Sequence, residues 1–310
     1  MSLSNISDTQ NPEFDEKPLD LKEVWRTVVV LFKLRIVFLL LLSAVGGAFL
    51  GANGWPGLSD FLVVILTGGF TAAGASAINQ YWEREKDKQM IRTQERPLAN
   101  GTIEDPIWVP ALALGMIFVP VMAVLQSNFW LAFYLGLGAF IYIVIYTIWL
   151  KPRTLLNIVI GGAAGSAAVM AGGAAVGNPH STAVIGLACV MFLWTPAHFW
   201  SLAIVYKDDY GRSDTPMLPN KTTPRHAAWW VMSHTLPLVF SAMILSVVPE
   251  LGWLYIFPVA LFSIGMVWGN IRLIQVPEKK PALRLFLASN FYLMVILAAI
   301  MLTTAVPGAW

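Results

Sequence analysis

Residues 106–150 read PIWVPALALGMIFVPVMAVLQSNFWLAFYLGLGAFIYIVIYTIWL, without one Asp, Glu, Lys or Arg. A helix that crosses a bilayer needs roughly 20 apolar residues, so this run is long enough for two helices. Gln126-Ser127-Asn128 supplies the break between them. Residues 154–206 repeat the pattern, with a break at residues 177–180. The two runs predict an all-α protein built from membrane-spanning helices.

The composition of the whole chain supports the same class. Of its 310 residues, 57% are hydrophobic and 12% are charged, and the mean hydropathy is +0.65. Soluble domains carry about 25% charged residues, so a soluble fold is disfavoured and no nucleic-acid partner is expected. The apolar segments predict a bundle of nine transmembrane helices in the lipid bilayer, at residues 36–53, 58–80, 106–125, 129–150, 155–176, 182–205, 227–248, 251–271 and 285–306.

The basic residues test this number of spans. All 20 Lys and Arg residues fall within five groups, and the four loops between those groups carry none. Nine spans place every basic group on one side of the membrane, whereas eight or ten would break the alternation. The positive-inside rule makes that side cytoplasmic, so we expect a cytoplasmic N-terminus. The groups lie at residues 17–35, 84–96, 151–153, 207–225 and 272–284.

Residues 1–30 predict a disordered cytoplasmic tail, and residues 31–310 a single transmembrane domain. The tail is polar, and its first 20 residues hold five acidic side chains against Lys17 alone. A secretory signal peptide needs a basic start and an apolar core, and a mitochondrial transit peptide is rich in Arg and poor in acids. Neither fits, so we expect a bacterial inner membrane protein.

Glycines recur inside the predicted spans. Small residues let membrane helices approach closely, so these positions predict a tightly packed bundle. They also leave open that a flat ligand lies against exposed backbone. The positions are Gly46-Gly47, Gly68-Gly69, Gly74, Gly161-Gly162, Gly165 and Gly172-Gly173.

A first polar cluster follows the second span. Asn79, Glu83 and Asp87 are four residues apart, and on a helix each step of four drifts by only about 40°. They therefore form one stripe. Mg²⁺ takes oxygen ligands, typically one or two carboxylates together with substrate phosphates. The stripe predicts either a Mg²⁺ site that faces the cytoplasm or a solvated helix face balanced by neighbouring Lys and Arg.

Basic residues beyond this cluster favour the metal interpretation. Arg92 and Arg96 follow it, and Pro97 is expected to end the helix. Guanidinium groups pair bidentately with phosphate oxygens, so the combination suits a diphosphate. A second cluster, Asp208-Asp209, follows the sixth span on the same side. The two clusters are expected to converge and to hold a metal–diphosphate between them.

Longer motifs around both clusters resemble a known family. Asn79 to Asp87 with the downstream Arg96-Pro97-Leu98, and the second Asp cluster after span six, are similar to the intramembrane prenyltransferases of the UbiA superfamily. Within that family, Trp194-Thr195-Pro196-Ala197-His198-Phe199-Trp200 and the following Tyr206-Lys207-Asp208-Asp209-Tyr210 resemble the branch that farnesylates protohaem IX. The resemblance extends over about residues 30–300.

The resemblance implies a reaction and a set of roles. Farnesyl diphosphate would donate its farnesyl group to a vinyl group of haem B, with addition of water, to give haem O and diphosphate. Asn79, Glu83, Asp87, Asp208 and Asp209 would form the catalytic site and hold Mg²⁺. The expected substrate-binding residues are Arg35, Arg92, Arg96, Lys151, Arg153, Lys207, Arg212, Tyr146, His198 and Tyr210.

His198 is the residue for which a haem contact is predicted most specifically. It lies within the sixth span, where an ionisable side chain is a functional candidate by default, and neutral imidazole is a common iron ligand. The alternative is a histidine that hydrogen-bonds between helices. A haem A synthase or an oxidase-assembly factor is a possible partner by resemblance.

Two other functions stay open at this stage. Charged residues in membrane proteins also mark the paths of secondary transporters, but those sites lie at the bilayer midplane on broken helices, and here the acids lie at one face. Within the enzyme class, the acceptor could be another aromatic or tetrapyrrole molecule. A non-catalytic haem-handling scaffold is a third possibility, and it would not require the acidic clusters.

Overall fold

The computed structural model describes residues 20–306, which form twelve helices, one further 3-10 turn at Pro249–Leu251 and no strands within that range. Nine of these twelve are long and apolar enough to cross a membrane: α2 to α7 and α10 to α12. The helices are α1 (Leu21–Leu31), α2 (Leu34–Ala52), α3 (Leu58–Asp87), α4 (Trp108–Leu125), α5 (Phe129–Leu150), α6 (Asn157–Ala175), α7 (Thr182–Val205), α8 (Lys207–Arg212), α9 (Leu218–Lys221), α10 (Pro224–Leu245), α11 (Gly252–Gln275) and α12 (Lys279–Ala305).

The nine-span prediction is confirmed, and most of the predicted spans agree with the observed helices to within a few residues. The spans pack as two groups. Helices α2 to α6 pack against one another, as do α7, α10, α11 and α12. Helices α2 and α6 on one side contact α7 on the other, and α2 also contacts α12. The two groups therefore form one bundle, and the cavity described below lies between them.

Two predictions from the sequence differ from the structure, one for residues 21–30 and one for the end of a helix. The predicted disordered tail, residues 1–30, lies partly outside the described residues, but Leu21–Leu31 form helix α1, capped by a hydrogen bond of 2.9 Å from the Lys22 amide to Asp20. Its sequence alternates apolar and charged residues at helical spacing, which favours a helix at a membrane surface.

The second error concerns the helix that carries the first polar cluster. It ends at Asp87 and not at Pro97. The chain then folds into successive turns, and the Thr93 hydroxyl donates to the Asp87 carbonyl at 3.1 Å. This bond satisfies one of the carbonyls that a helix end leaves without a partner. The turns bring the residues after Asp87 back over the end of α3.

Close packing of glycines is confirmed where α2 meets α6. A Cβ atom on Gly172 would lie 1.7 Å from the Ala44 carbonyl oxygen, and one on Gly47 would lie 2.2 Å from that of Val169. No real Cβ approaches backbone so closely, so the two helices are in contact through backbone atoms. Other glycines, including Gly161, Gly162 and Gly165, line the cavity.

The second half of α5 is wound as a π-helix from Ile141 to Leu150. The Lys151 amide donates to the Tyr146 carbonyl at 2.8 Å, a bond across five residues. Long π-helical stretches are rare and occur frequently at functional sites. This wider winding places Tyr142, Tyr146 and Lys151 on the wall of one cavity.

Candidate active site

A cavity of about 570 Å³ lies inside the bundle, walled by α2, α3, α5, α6, α7 and α12. Most of its lining is aliphatic or aromatic. Its charged residues come from the ends of α3 and α5, from the start of α2 and from the turns after α3, which all lie at one end of the bundle. The charged lining residues are Lys33, Glu83, Asp87, Arg92, Arg96 and Lys151.

The first polar cluster faces this cavity. Asn79, Glu83 and Asp87 follow one another along α3 and are exposed by only 2%, 7% and 1%. The Asn79 amide donates to the Glu83 carboxylate at 3.1 Å and to the Thr147 hydroxyl at 3.0 Å. The predicted stripe therefore exists, but it is buried in the bundle and is not a solvated helix face.

Each carboxylate of this cluster is paired with a basic side chain. Lys151 Nζ lies 2.6 Å from Glu83 Oε1, and Arg96 Nη1 lies 2.7 Å from Asp87 Oδ2. Burial works against the charge of Lys151, but the adjacent Glu83 carboxylate outweighs it and raises the pKa of Lys151. The site thus combines anionic and cationic groups within hydrogen-bonding distance.

Lys33 is a site residue that sequence reasoning missed. Its Nζ donates to Asn79 Oδ1 at 2.5 Å and to the Tyr142 hydroxyl at 3.2 Å. Burial, followed by the Arg96 guanidinium, lowers the pKa of Lys33 to about 7. Its backbone is left-handed, with φ 49°, at the junction of α1 and α2. The available signal was a basic residue directly before an apolar span.

The second cluster meets the first through the turns that follow α3. Asp209 is buried, and its Oδ2 accepts a hydrogen bond of 3.1 Å from the Arg92 amide. Its Oδ1 lies 3.4 Å from Arg212 Nη1. Asp208 instead lies at the surface, where it pairs with Lys279 at 2.9 Å. The two clusters lie at the same end of the bundle, but neither Asp208 nor Asp209 is among the residues that line the cavity.

The predicted substrate-binding residues divide into two sets. Six of them line the cavity: Arg92, Arg96, Lys151, Tyr146, His198 and Tyr210. Four lie outside its wall: Arg35, Arg153, Lys207 and Arg212. Arg153 donates to the carbonyls of Ile148 and Trp149 at 3.0 and 2.7 Å, so it caps the end of α5.

The donor set at Asn79, Glu83 and Asp87 suits Mg²⁺. Within residues 20–306, no three His, Cys, Asp or Glu side chains gather in one place, so the five predicted metal ligands do not form one cluster. Two carboxylates with an amide oxygen are nevertheless enough for Mg²⁺ when phosphates complete its shell. Asp87 Oδ1 is buried with no hydrogen-bond partner among the described residues, which leaves it free for a ligand.

An aromatic wall adjoins this polar end. Trp194 stacks on the His198 imidazole with ring centroids 4.1 Å apart, and Phe286 covers the other face at 4.5 Å. All three residues line the cavity, together with Asn290 of α12. The His198 ring is therefore held between two flat apolar surfaces, with part of its edge open to the cavity.

Comparison with known proteins identifies the family. A model of the UbiA prenyltransferase family matches residues 40–305. The chain belongs to the UbiA prenyltransferase family. The resemblance inferred from the two clusters is thereby confirmed, and so is the conclusion that the chain is a prenyltransferase of the membrane.

Two relatives of this UbiA prenyltransferase cover nearly its whole length. Protoheme IX farnesyltransferase 2 of Paramagnetospirillum magneticum is 37% identical over 284 residues, which is 91% of this chain and 98% of the relative. Protoheme IX farnesyltransferase of Metallosphaera sedula is 37% identical over 276 residues, covering 88% and 94%.

Solved structures share the fold of this UbiA prenyltransferase at low sequence identity. A structure described for digeranylgeranylglyceryl phosphate synthase has a TM-score of 0.76 and 17% identity, covering 91% of this chain and 99% of that chain. A UbiA homolog from Archaeoglobus fulgidus bound to DMAPP and Mg²⁺ has a TM-score of 0.63 and 13% identity, covering 88% and 99%. These likenesses confirm the predicted all-α fold.

Proposed function

We propose that this protein transfers the farnesyl group of farnesyl diphosphate to a vinyl group of haem B, with addition of water, and releases diphosphate. The observation that carries the proposal is the cavity. One intramembrane space joins a buried cluster of acids and bases to an apolar and aromatic wall. Relatives that are 37% identical over about 90% of the chain carry the name protoheme IX farnesyltransferase.

The polar end of the cavity holds the diphosphate. Arg92, Arg96 and Lys151 present cationic groups there, and Lys33 adds a fourth. Preorganised positive charge stabilises the negative charge that develops on the diphosphate when the allylic carbon–oxygen bond breaks. The electron pair of that bond leaves with the diphosphate, and the farnesyl carbon becomes electrophilic.

Asn79, Glu83 and Asp87 are the residues that would hold Mg²⁺. The ion, when bound, adds to the neutralisation of the diphosphate leaving group. A part for Asp208 and Asp209 in metal binding stays a prediction. In the structure, Asp209 fixes the Arg92 backbone, and Asp208 pairs with Lys279 at the surface.

The apolar wall protects the electrophile. Leu40, Val64, Leu131 and Leu135 are among the lining residues, and they extend the cavity away from the charged end. A farnesyl chain in this space is shielded from water, which would otherwise consume the cation. The vinyl π-electrons of the acceptor attack the farnesyl carbon. Water then adds to the new cation beside the ring and loses a proton, which leaves a hydroxyethylfarnesyl group.

The acceptor lies against the aromatic wall of Trp194, His198 and Phe286. His198 provides a ligand for its iron. Axial ligation sets the macrocycle across the edge of the imidazole, so Trp194 and Phe286, which lie at 17° and 31° to that ring, contact the macrocycle through their edges. An acceptor without iron would give the His198 imidazole no metal to bind. We also propose that the charged end faces the cytoplasm of a bacterial inner membrane, and that a haem A synthase or an oxidase-assembly factor receives the product.

The test is a reconstitution in detergent with haem B, farnesyl diphosphate and Mg²⁺. Mass spectrometry is expected to show haem that has gained a farnesyl group and water, and EDTA is expected to abolish the product. Diphosphate release without modified haem would point to another acceptor. Absence of diphosphate release by folded protein would contradict prenyl transfer and favour transport or scaffolding.

A further inference from the structure

The proton on the His198 ring can be assigned from its neighbours. Nδ1 of His198 lies 2.8 Å from the Ser289 hydroxyl oxygen, which itself lies 2.7 Å from the Phe286 carbonyl oxygen. A carbonyl can only accept a hydrogen bond, and a hydroxyl has only one proton to donate. When the hydroxyl makes this bond to Phe286 within α12, the Ser289 oxygen accepts from His198 and the imidazole proton is on Nδ1.

The other ring nitrogen, Nε2, is consequently an unprotonated acceptor. It has no hydrogen-bond partner in the part of the chain that the structure describes, where Nδ1 makes the only bond of this ring. His198 lines the cavity, whereas Ser289 is fully buried behind it on α12. The lone pair of Nε2 is thus available on the cavity side of the ring.

Ser289 also holds Trp194, which stacks on the His198 imidazole, in place. The Trp194 indole donates to the Ser289 carbonyl oxygen at 2.7 Å, and the indole lies nearly parallel to the imidazole, at 17°. Phe286, one turn away from Ser289 on α12, covers the opposite face at 31°. The imidazole is clamped between these two rings, so its tautomer and its orientation are fixed by one short stretch of α12.

We propose that Ser289 is a positioning residue for the acceptor, which fixes His198 in the Nδ1–H tautomer so that Nε2 binds the haem iron. The inference rests on the proposed function, since it requires haem as the acceptor. A hydrogen bond from the other ring nitrogen is the usual means of orienting a metal-binding histidine and of raising its basicity. Without the Ser289 oxygen, either nitrogen can carry the proton.

Haem B titration of the purified protein tests this inference. Absorption and electron paramagnetic resonance spectra report iron–imidazole ligation, and the titration gives the Kd for haem. We expect His198→Ala to lose the imidazole signature. Ser289→Ala is expected to weaken haem binding about tenfold and to reduce the imidazole-ligated fraction. Ser289→Thr keeps a hydroxyl and is expected to preserve both.

Ser201→Ala is the matched control. Ser201 is also fully buried, and it lies on the same helix as His198. Its one side-chain hydrogen bond within the described residues is to the Ala197 carbonyl of its own helix, at 2.7 Å. This variant should bind haem like the wild type. Thermal unfolding of each variant verifies that the comparison is between folded proteins.

Two results would overturn the inference. One is a Ser289→Ala protein with the Kd and the spectrum of the wild type. The other is a His198→Ala protein whose haem spectrum does not change. The farnesylation assay, run on the same wild-type preparation, separates this failure from that of the proposed function. If the wild type farnesylates haem but the variant spectra are unchanged, only the role of Ser289 is contradicted. If the wild type forms no product, the proposed function itself is contradicted.

Discussion

Asp87 differs from the carboxylate of an ordinary ion pair, because just one of its two oxygens has a partner among the described residues. Its Oδ2 accepts from Arg96 at 2.7 Å, whereas its Oδ1 is buried and has no partner within the described residues. A buried carboxylate oxygen without a partner is costly, by about 1–3 kcal/mol or more. Such a group persists when it serves a ligand, which agrees with its predicted role in binding Mg²⁺.

Replacement of Asp87 by Asn should therefore remove Mg²⁺-dependent turnover. We expect kcat/KM to fall by about 10²–10³, because the charge that would hold the metal and the partner of Arg96 are lost together. Farnesyl diphosphate cleavage is the measurement, with thermal unfolding to verify the fold. Glu85→Gln is the control, since Glu85 is exposed on the same helix and, among residues 20–306, pairs with Arg84 and Lys88 alone. Full activity of Asp87→Asn would contradict the metal assignment.

Lys33 should make substrate affinity depend on pH. Its pKa is lowered to about 7, first by burial and then by Arg96. It is therefore charged below pH 7 and loses its charge as the pH rises. We expect the KM for farnesyl diphosphate to increase above pH 7, by at most about tenfold per pH unit for one proton.

The Lys33→Arg variant stays charged over this range and should lose that pH dependence. Lys88→Arg, at the exposed position directly after α3, should behave as the wild type. If the KM of Lys33→Arg rises with pH as steeply as that of the wild type, another group causes the effect.

Among the individual site residues, the sequence predicted those whose spacing follows helical geometry. Asn79, Glu83 and Asp87 were placed on one face because 3.6 residues make a turn. Lys33 was missed, because its contact with Asn79 depends on how α2 packs against α3, which no local pattern encodes. Arg153 is a different case, because its side chain turns back to the carbonyls at the end of its own helix, α5, instead of reaching the cavity.

The contact between α2 and α6 leaves no room for a side chain at its glycines. A Cβ on Gly172 would meet the Ala44 carbonyl at 1.7 Å, so Gly172→Ala must force the two helices apart. We expect a loss of stability of about 1–3 kcal/mol, measured by thermal unfolding in detergent. Gly136→Ala is the matched control, because a Cβ at Gly136 on α5 has no neighbour within 4 Å. Equal stability of the two variants would contradict this packing.

Among the elements, the spans were easier to predict than their ends. Span length follows from bilayer thickness, so long apolar runs, eight of them without a charged residue, predicted the nine spanning helices found in residues 20–306. The predicted end of α3 is wrong, because Pro97 disfavours helical backbone at the residue before it but says nothing about how much earlier the helix ends. The π-helical winding of Ile141–Leu150 has no signature in hydropathy.

The orientation of the whole molecule in the membrane can be tested with single cysteines. In a Cys189→Ser background, Gln94→Cys tests the charged end, and Ser127→Cys tests the opposite loop. Impermeant maleimide should label Gln94→Cys only in inside-out vesicles and Ser127→Cys only in right-side-out vesicles. Labelling of both positions from the same side would contradict the predicted topology.

The cavity has an excess of positive charge, and this has a consequence for turnover. Within the described part of the chain, four basic side chains line it against two carboxylates. Diphosphate freed from its ester has one more ionisable oxygen than the diphosphate of the substrate, so the charged end of the cavity attracts the leaving group at least as strongly as it attracts that part of the donor. We expect inorganic diphosphate to be a competitive inhibitor against farnesyl diphosphate. Added pyrophosphatase should therefore accelerate steady-state turnover.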